Sequence, residues 1–203
     1  MIKKNMIKKK NLIVNLFILT LAVSFQNCGI NNIPTYDEQV KADWSQVLNQ
    51  YKRRADLVPM LVNTVKGYAA HEKSLLVEVT EARAKVTSTN IPADILTNKA
   101  AFAQFQQNQA SLGGALSRLM VVAERYPDLK ANQNFLELQS QLEGTENRIS
   151  VARRDYILAV QKYNTELRTI PGSWWRSLMY KDAVVKENFT VDEAAQKTPE
   201  VKF

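Results

Sequence analysis

The stretch that decides the fold runs from Trp44 to Arg83 and reads WSQVLNQYKRRADLVPMLVNTVKGYAAHEKSLLVEVTEAR. Apolar residues recur through it at steps of three and four, with one break at Glu72. This spacing places one apolar stripe along a helix and is typical of a helical bundle or a coiled coil. The pattern predicts a single long helix from about residue 37 to about residue 86, which Pro59 would kink or divide into two. The stripe, which begins just before the quoted stretch, consists of Val40, Trp44, Val47, Tyr51, Ala55, Val58, Val62, Val65, Ala69, Leu76 and Val79.

Two further apolar stripes predict two more long helices, one from about Ala93 to Tyr126 and one from about Asn132 to Arg168. Segments 87–92 and 127–131 separate the helices, and each contains proline and polar residues. No alternating pattern typical of strands occurs in the sequence. We therefore predict an all-α fold, an elongated antiparallel helical bundle of three long helices with a shorter C-terminal helix or tail.

Two adjacent glycines, Gly113 and Gly114, lie inside the second predicted helix. Each costs about 1 kcal/mol relative to alanine in such a position, so their presence needs a reason. We interpret them as a place where another helix approaches closely, with a hinge as the alternative.

The beginning of the sequence has the pattern of an export segment. Residues 1–10 contain five lysines and no acid, and residues 12–23, LIVNLFILTLAV, form an apolar run shorter than the roughly 20 residues of a permanent span. The only cysteine, Cys28, follows, and we interpret it as a lipid attachment site exposed by cleavage of a signal peptide. Because the preceding FQN departs from the small or aliphatic residues usual there, an uncleaved membrane anchor with an incidental cysteine stays open, as does plain secretion.

These patterns divide the chain into four parts. The first two interpretations of Cys28 both predict an N-terminal anchor in the cell membrane or outer membrane, with the bundle outside the cytoplasm. The predicted parts are a signal peptide or anchor at 1–27, a tether at 28–36, a helical bundle at 37–170 and a tail at 171–203 that packs on the bundle.

The net charge of +7 is mostly a property of the export segment. From Cys28 onward the charges nearly balance, with 22 lysines and arginines and 20 aspartates and glutamates. Nucleic-acid binding would require a basic face on the folded domain. The sequence therefore predicts no nucleic-acid partner.

Several blocks of this sequence resemble the LemA family, namely YKRRADLVPMLVNTVKGYAAHE, ERYPDLKANQNFLELQSQLEGTENRISVARRDY and KYNTELRTIP. The resemblance covers about 160 residues. It implies an elongated antiparallel helical bundle with an N-terminal membrane anchor and no established biochemical activity. It also implies envelope proteins as partners, among them membrane metalloproteases, and some relatives are associated with the formation of internal membranes.

The residues needed for catalysis or metal binding are scarce. His71 is the only histidine, and Leu75 stands where a second zinc-binding histidine of an HExxH motif would be. No glycine-rich phosphate-binding motif is present, and Cys28 is distant from any catalytic partner. We predict that the protein is not an enzyme and holds no metal or cofactor.

One polar group does fall on the predicted seams. Glu72 and Gln109 occupy positions where apolar residues are expected, and antiparallel pairing would bring Arg148 or Arg153 to the same level. His71 and Glu146 would lie at the edge of this layer. We interpret Glu72, Gln109 and Arg148 as a buried polar layer that sets helix register; a solvated arrangement without contact and a ligand or ion site are the alternatives.

An aromatic pair follows the third predicted helix. Trp174 and Trp175 stand beside Arg176, and aromatic residues next to cations suit membrane headgroups or a partner surface. Packing of both tryptophans against the bundle is the alternative.

Together these features predict a non-catalytic scaffold or adaptor for envelope proteins, tethered to the membrane. The second hypothesis is a lipid-directed protein that binds or shapes the membrane surface. The third is an enzyme or ligand sensor that uses the polar layer.

Overall fold

The computed structural model describes residues 29–190, and within them no strand occurs. The chain forms a bundle of helices, which confirms the predicted all-α fold. The six helices of this part are α1 (Asn32–Lys66), α2 (Lys73–Ser88), α3 (Lys99–Ala123), α4 (Pro127–Lys130), α5 (Gln133–Glu166) and α6 (Gly172–Leu178).

The stretch predicted as one helix forms two antiparallel helices, so this detail of the prediction was wrong. α1 continues through Pro59, whose side chain faces solvent, and ends at Lys66. The chain reverses in residues 67–72 before α2 begins. Ala69 in this loop is fully buried and keeps the three-and-four spacing, so the break at Glu72 was the only sign of the reversal in the apolar pattern.

The four long helices alternate in direction. α1 and α5 run antiparallel, as their contacts Asn32–Glu166 and Arg54–Glu146 show. α2 and α3 also run antiparallel, and an ion pair between Glu78 and Arg118 joins them. We call the end that holds Gly29 and Glu166 the proximal end, and the end that holds loop 67–72 and α4 the distal end. The 35 residues of α1 correspond to a length of about 50 Å.

The apolar interior has two parts. The proximal core is rich in aromatic residues, with Trp44, Phe102, Phe105, Tyr156 and Phe189 within ring contact of one another. The distal core is mostly aliphatic and includes Leu61, Val65, Leu112, Leu119 and Leu129.

After α6 the chain crosses the bundle as residues 179–190, which we call the strap. Asn164 holds it through two hydrogen bonds with the backbone of Lys186, at 2.9 and 2.8 Å. The hydroxyl of Tyr156 donates to the carbonyl oxygen of Glu187 at 2.7 Å, and Phe189 enters the proximal core. The rest of the predicted tail, with its apolar Val201 and Phe203, lies outside the described residues.

Candidate functional site

A buried polar layer separates the two cores, and Arg54 of α1 is its centre. The arginine is only 4% exposed. Its Nη2 donates to the backbone oxygen and to Oε1 of Gln109 in α3, at 2.9 and 2.8 Å. Its Nη1 donates to both carboxylate oxygens of Glu146 in α5, at 3.2 and 3.3 Å. One side chain therefore joins three long helices.

The neighbours of Arg54 fit the size and charge of its guanidinium group. The ring of Tyr51 lies 4.9 Å from the guanidinium carbon, and burial raises the pKa of this phenol, so it stays neutral. A methyl group on Gly113 would come within 3.4 Å of Nη1. The arginine of α1 therefore lies directly against Gly113, and α3 passes through both glycines without interruption.

The layer suits a role in helix register. A buried charge is costly unless it is paired and hydrogen-bonded, and Arg54 meets acceptors only at one mutual alignment of α1, α3 and α5. A shift of one turn along any helix would separate the guanidinium from Gln109 or Glu146. Glu146 is 44% exposed, so the layer opens to solvent on the α5 side.

Of the three residues predicted to form this layer, only Gln109 belongs to it. Glu72 lies at the distal end, where it pairs with Arg125 at 2.9 Å and accepts from the hydroxyl of Tyr126 at 3.2 Å. Arg148 is exposed on α5 beside a groove between α1 and α5. The prediction assumed a helix to residue 86; because the chain reverses at 67–72, Glu72 moves from the middle of the bundle to its end.

The sequence contained a signal for Arg54 that the prediction did not use. Arg54 follows Tyr51 by three residues and precedes Val58 by four, so it stands on the apolar stripe itself. It also belongs to the charge run Lys52-Arg53-Arg54, whose first two members are exposed, and a charge run by itself predicts a solvated surface.

The proximal end exposes apolar side chains around α6. Trp174 is 58% exposed and Leu178 69% exposed, whereas Trp175 packs against the proximal core. Gly172 brings α6 against the end of α5, because a methyl group there would lie 2.1 Å from the carbonyl oxygen of Glu166. Trp175 therefore packs on the bundle and Trp174 is exposed, while contact of this segment with a membrane or a partner stays a prediction.

Gly29 lies at the same end of the bundle as this apolar surface. Its neighbour Asn32 donates to Glu166 at 3.3 Å, and Glu166 is the residue against which Gly172 packs. Cys28 and the apolar run 12–23 lie outside the described residues. Among residues 29–190, no helix is long and apolar enough to cross a bilayer. The same part of the chain contains no cluster of three histidine, cysteine or carboxylate residues suited to a metal ion.

By these features the protein is an elongated helical bundle whose central polar layer joins three helices. The comparison with protein families then gives the assignment. The model of the LemA family matches residues 43–203, and the chain belongs to this family.

Three relatives agree with this assignment. Magnetosome proteins MamQ 1 and MamQ 2 of Paramagnetospirillum magneticum are each 25% identical to the chain, across 90% of it and 70% of the relative. Protein LemA of Metamycoplasma hominis is 26% identical, across 75% of this chain and 67% of the relative.

Proposed function

We propose that this protein is a non-catalytic adaptor, tethered to a membrane at its N-terminus, whose bundle brings envelope proteins together outside the cytoplasm. The observation that carries the proposal is the entry point of the chain. Gly29 lies at the proximal end, and α1 then runs the length of the bundle, about 50 Å. A tether before Gly29 therefore holds one end near the bilayer and projects the other end outward.

Two further points support the adaptor role. The basic and apolar segments before Cys28 have the pattern of an anchor or a lipoprotein signal. The LemA family is not known as an enzyme family. The resemblance to this family also implies envelope proteins as partners, and a membrane metalloprotease is one candidate.

Crosslinking in intact cells tests the proposal, followed by affinity purification of the tagged full chain and quantitative mass spectrometry. Two strains run in parallel: Cys28→Ala, and a chain whose residues 1–28 are replaced by a cleavable export signal without cysteine. Reproducible enrichment of one or two envelope proteins, weakened in the untethered strain, supports the adaptor. Recovery of the protein alone from the tethered strain contradicts it.

A second candidate function, binding to the lipid surface, is favoured by the side chains at the proximal end. Ile170, Trp174, Leu178 and Met179 are each more than half exposed there. Tryptophan and aliphatic residues with flanking cations favour the interface of a bilayer, and Arg168 and Lys181 are exposed nearby. In this alternative, α6 lies against the membrane to which the tether leads.

Liposome co-sedimentation of fragment 29–203, with its fold checked by circular dichroism, tests the lipid candidate. Trp174→Ser with Leu178→Ser should abolish binding to vesicles that contain anionic lipid. Val121→Ser is the matched control, because Val121 is 71% exposed at the distal end. Equal binding by all three proteins, or no binding by the parent fragment, removes the candidate.

A further inference from the structure

An open cleft of about 630 Å³ separates α3 from α5 in the distal half of the bundle. Apolar side chains from both helices line it, and Gly113 leaves part of the α3 wall without a side chain. Glu146, the carboxylate of the polar layer, stands at its rim with 44% of its side chain exposed. The lining residues are Gly113, Leu116, Ser117 and Met120 on α3, and Leu142, Glu143, Glu146 and Asn147 on α5.

The strap runs between the same two helices and points toward this cleft. On the α3 side, its contacts advance from Leu96 to Phe102 and then to Gln106, whose Nε2 donates to the carbonyl oxygen of Thr190 at 3.3 Å. The wall of the cleft begins at Gly113, about two turns further along α3 in this direction.

The α5 side shows the same direction. The strap contacts Asn164 first and Tyr156 next, and Arg153 then lies over the ring of Phe189 at 4.4 Å. Continuing along α5 leads to Asn147 and Glu146, the opposite wall of the cleft. The described part of the chain therefore ends about 10 Å short of the cleft, measured along α3 from Gln106 to Gly113, and is directed toward it.

We propose that residues 191–203, VDEAAQKTPEVKF, continue along this path and fill the α3–α5 cleft. From Gln106 to Met120, α3 rises about 21 Å. Thirteen residues reach about 43 Å when extended and about 20 Å as a helix, so the segment is long enough in either form. This inference concerns the bundle itself and stands independently of the adaptor function.

The chemistry of the segment matches that of the cleft. Val201 and Phe203 provide apolar side chains for the surfaces of Leu116, Met120 and Leu142. Lys197 and Lys202 provide cations for the acidic rim at Glu143 and Glu146, while Asp192, Glu193 and Glu200 of the same segment have to face solvent. In this position the segment covers Glu146 and shields its pair with Arg54 from water, which strengthens the polar layer.

The test is photo-crosslinking in the full chain, expressed in cells, with p-benzoylphenylalanine in place of Phe203. We expect a product of monomer mobility in which the probe joins peptides from 113–120 or 142–147, identified by mass spectrometry. The same probe in place of Trp174, at the proximal end, should give no product with these peptides.

Two substitutions on neighbouring positions of α3 sharpen the test. Met120→Asp, in the cleft wall, should lower the yield of the crosslink at least about tenfold, since exposing a buried apolar contact changes a binding equilibrium by more than that factor. Val121→Asp, which faces solvent on the same helix, should leave the yield unchanged. If Met120→Asp does not fold, Ser117→Arg replaces it.

Other products overturn the proposal. A dimer-sized product would assign the cleft to the segment of a second copy, and a product with another protein or a lipid would assign the segment to that partner. Crosslinks only elsewhere on the bundle, or none, would leave the cleft without this occupant. As a second measurement, a chain ending at Thr190 should melt at a lower temperature, and Met120→Asp should then have little additional effect, as expected for two changes that remove the same contact.

Discussion

Arg83 of α2 donates its Nε proton to the carbonyl oxygen of Ala55 in α1, at 2.9 Å. In a regular helix this carbonyl would accept from the amide of residue 59, but Pro59 has no amide proton. The arginine thus supplies the hydrogen bond that the proline removes. This contact explains how α1 continues through Pro59, and it fastens the two antiparallel helices of the first hairpin to each other.

Replacing Arg83 should therefore destabilise the protein by about 1 kcal/mol, the usual net value of such a hydrogen bond. We expect Arg83→Met to lower the free energy of unfolding in urea by this amount. In a Pro59→Ala background the same change should have a smaller effect, because residue 59 then supplies the amide. Lys85→Met, at an exposed position of α2, is the control. An equal effect of Arg83→Met in both backgrounds would show that the two residues are not coupled.

The polar layer predicts an asymmetry between single and double substitutions. Arg54→Met leaves Gln109 and Glu146 without their donor, and Gln109→Leu removes one of the two acceptors of Nη2, which keeps only the backbone oxygen of residue 109. Removing one partner of a buried charged pair costs about 3–5 kcal/mol, and the partial exposure of Glu146 favours the lower value. Arg54→Met combined with Gln109→Leu should cost clearly less than the sum of the single changes, as measured by chemical denaturation. Additive effects would contradict the mutual role of the two residues.

High pH should weaken the bundle through its buried tyrosines. Burial raises the pKa of Tyr163 to about 12, from an ordinary value of 10. Between these pH values the unfolded chain loses a proton that the folded chain retains, so stability is fully present below pH 10 and decreases as the pH rises to about 12. Tyr163→Phe should reduce this slope in thermal unfolding measured across the range. Tyr68→Phe, at an exposed tyrosine of the distal loop, is the control, and an identical slope in Tyr163→Phe would contradict the assignment.

The protection of the strap against hydrogen exchange should decrease when the side chain of Asn164 is removed. Asn164→Ala removes both hydrogen bonds to Lys186, each contributing about 1 kcal/mol. Hydrogen exchange measured by mass spectrometry should become faster in residues 184–190, while α2 keeps its protection. Gln161→Ala, one turn earlier on an exposed position of α5, should change neither. Unchanged exchange in the strap of Asn164→Ala would mean that Phe189 and Tyr156 hold the strap without it.

The order and type of most elements followed from local patterns. The second and third predicted helices correspond to α3 and α5, since long amphipathic stripes end at recognisable proline and polar segments. Gln109 was found because a polar residue on an apolar stripe is a local signal. Arg54 carries the same signal, but it stands in a run of three cations, and a charge run gives no information on which of its members is buried.

The sequence by itself determined an all-α bundle and the positions of its apolar stripes, because both depend on residues three or four apart on one helix. It also determined the family, through contiguous blocks of sequence. The tertiary structure alone decided three other features: the reversal at residues 67–72, the partners of Arg54, and the contact of Arg83 with Ala55. The stripe continues to the buried Ala69 of the loop and breaks only at Glu72, and a single polar residue on a stripe does not distinguish a chain reversal from a polar position within a helix. The two arginine contacts join residues 28 to 92 positions apart, and such pairings depend on how helices pack against each other rather than on any local pattern.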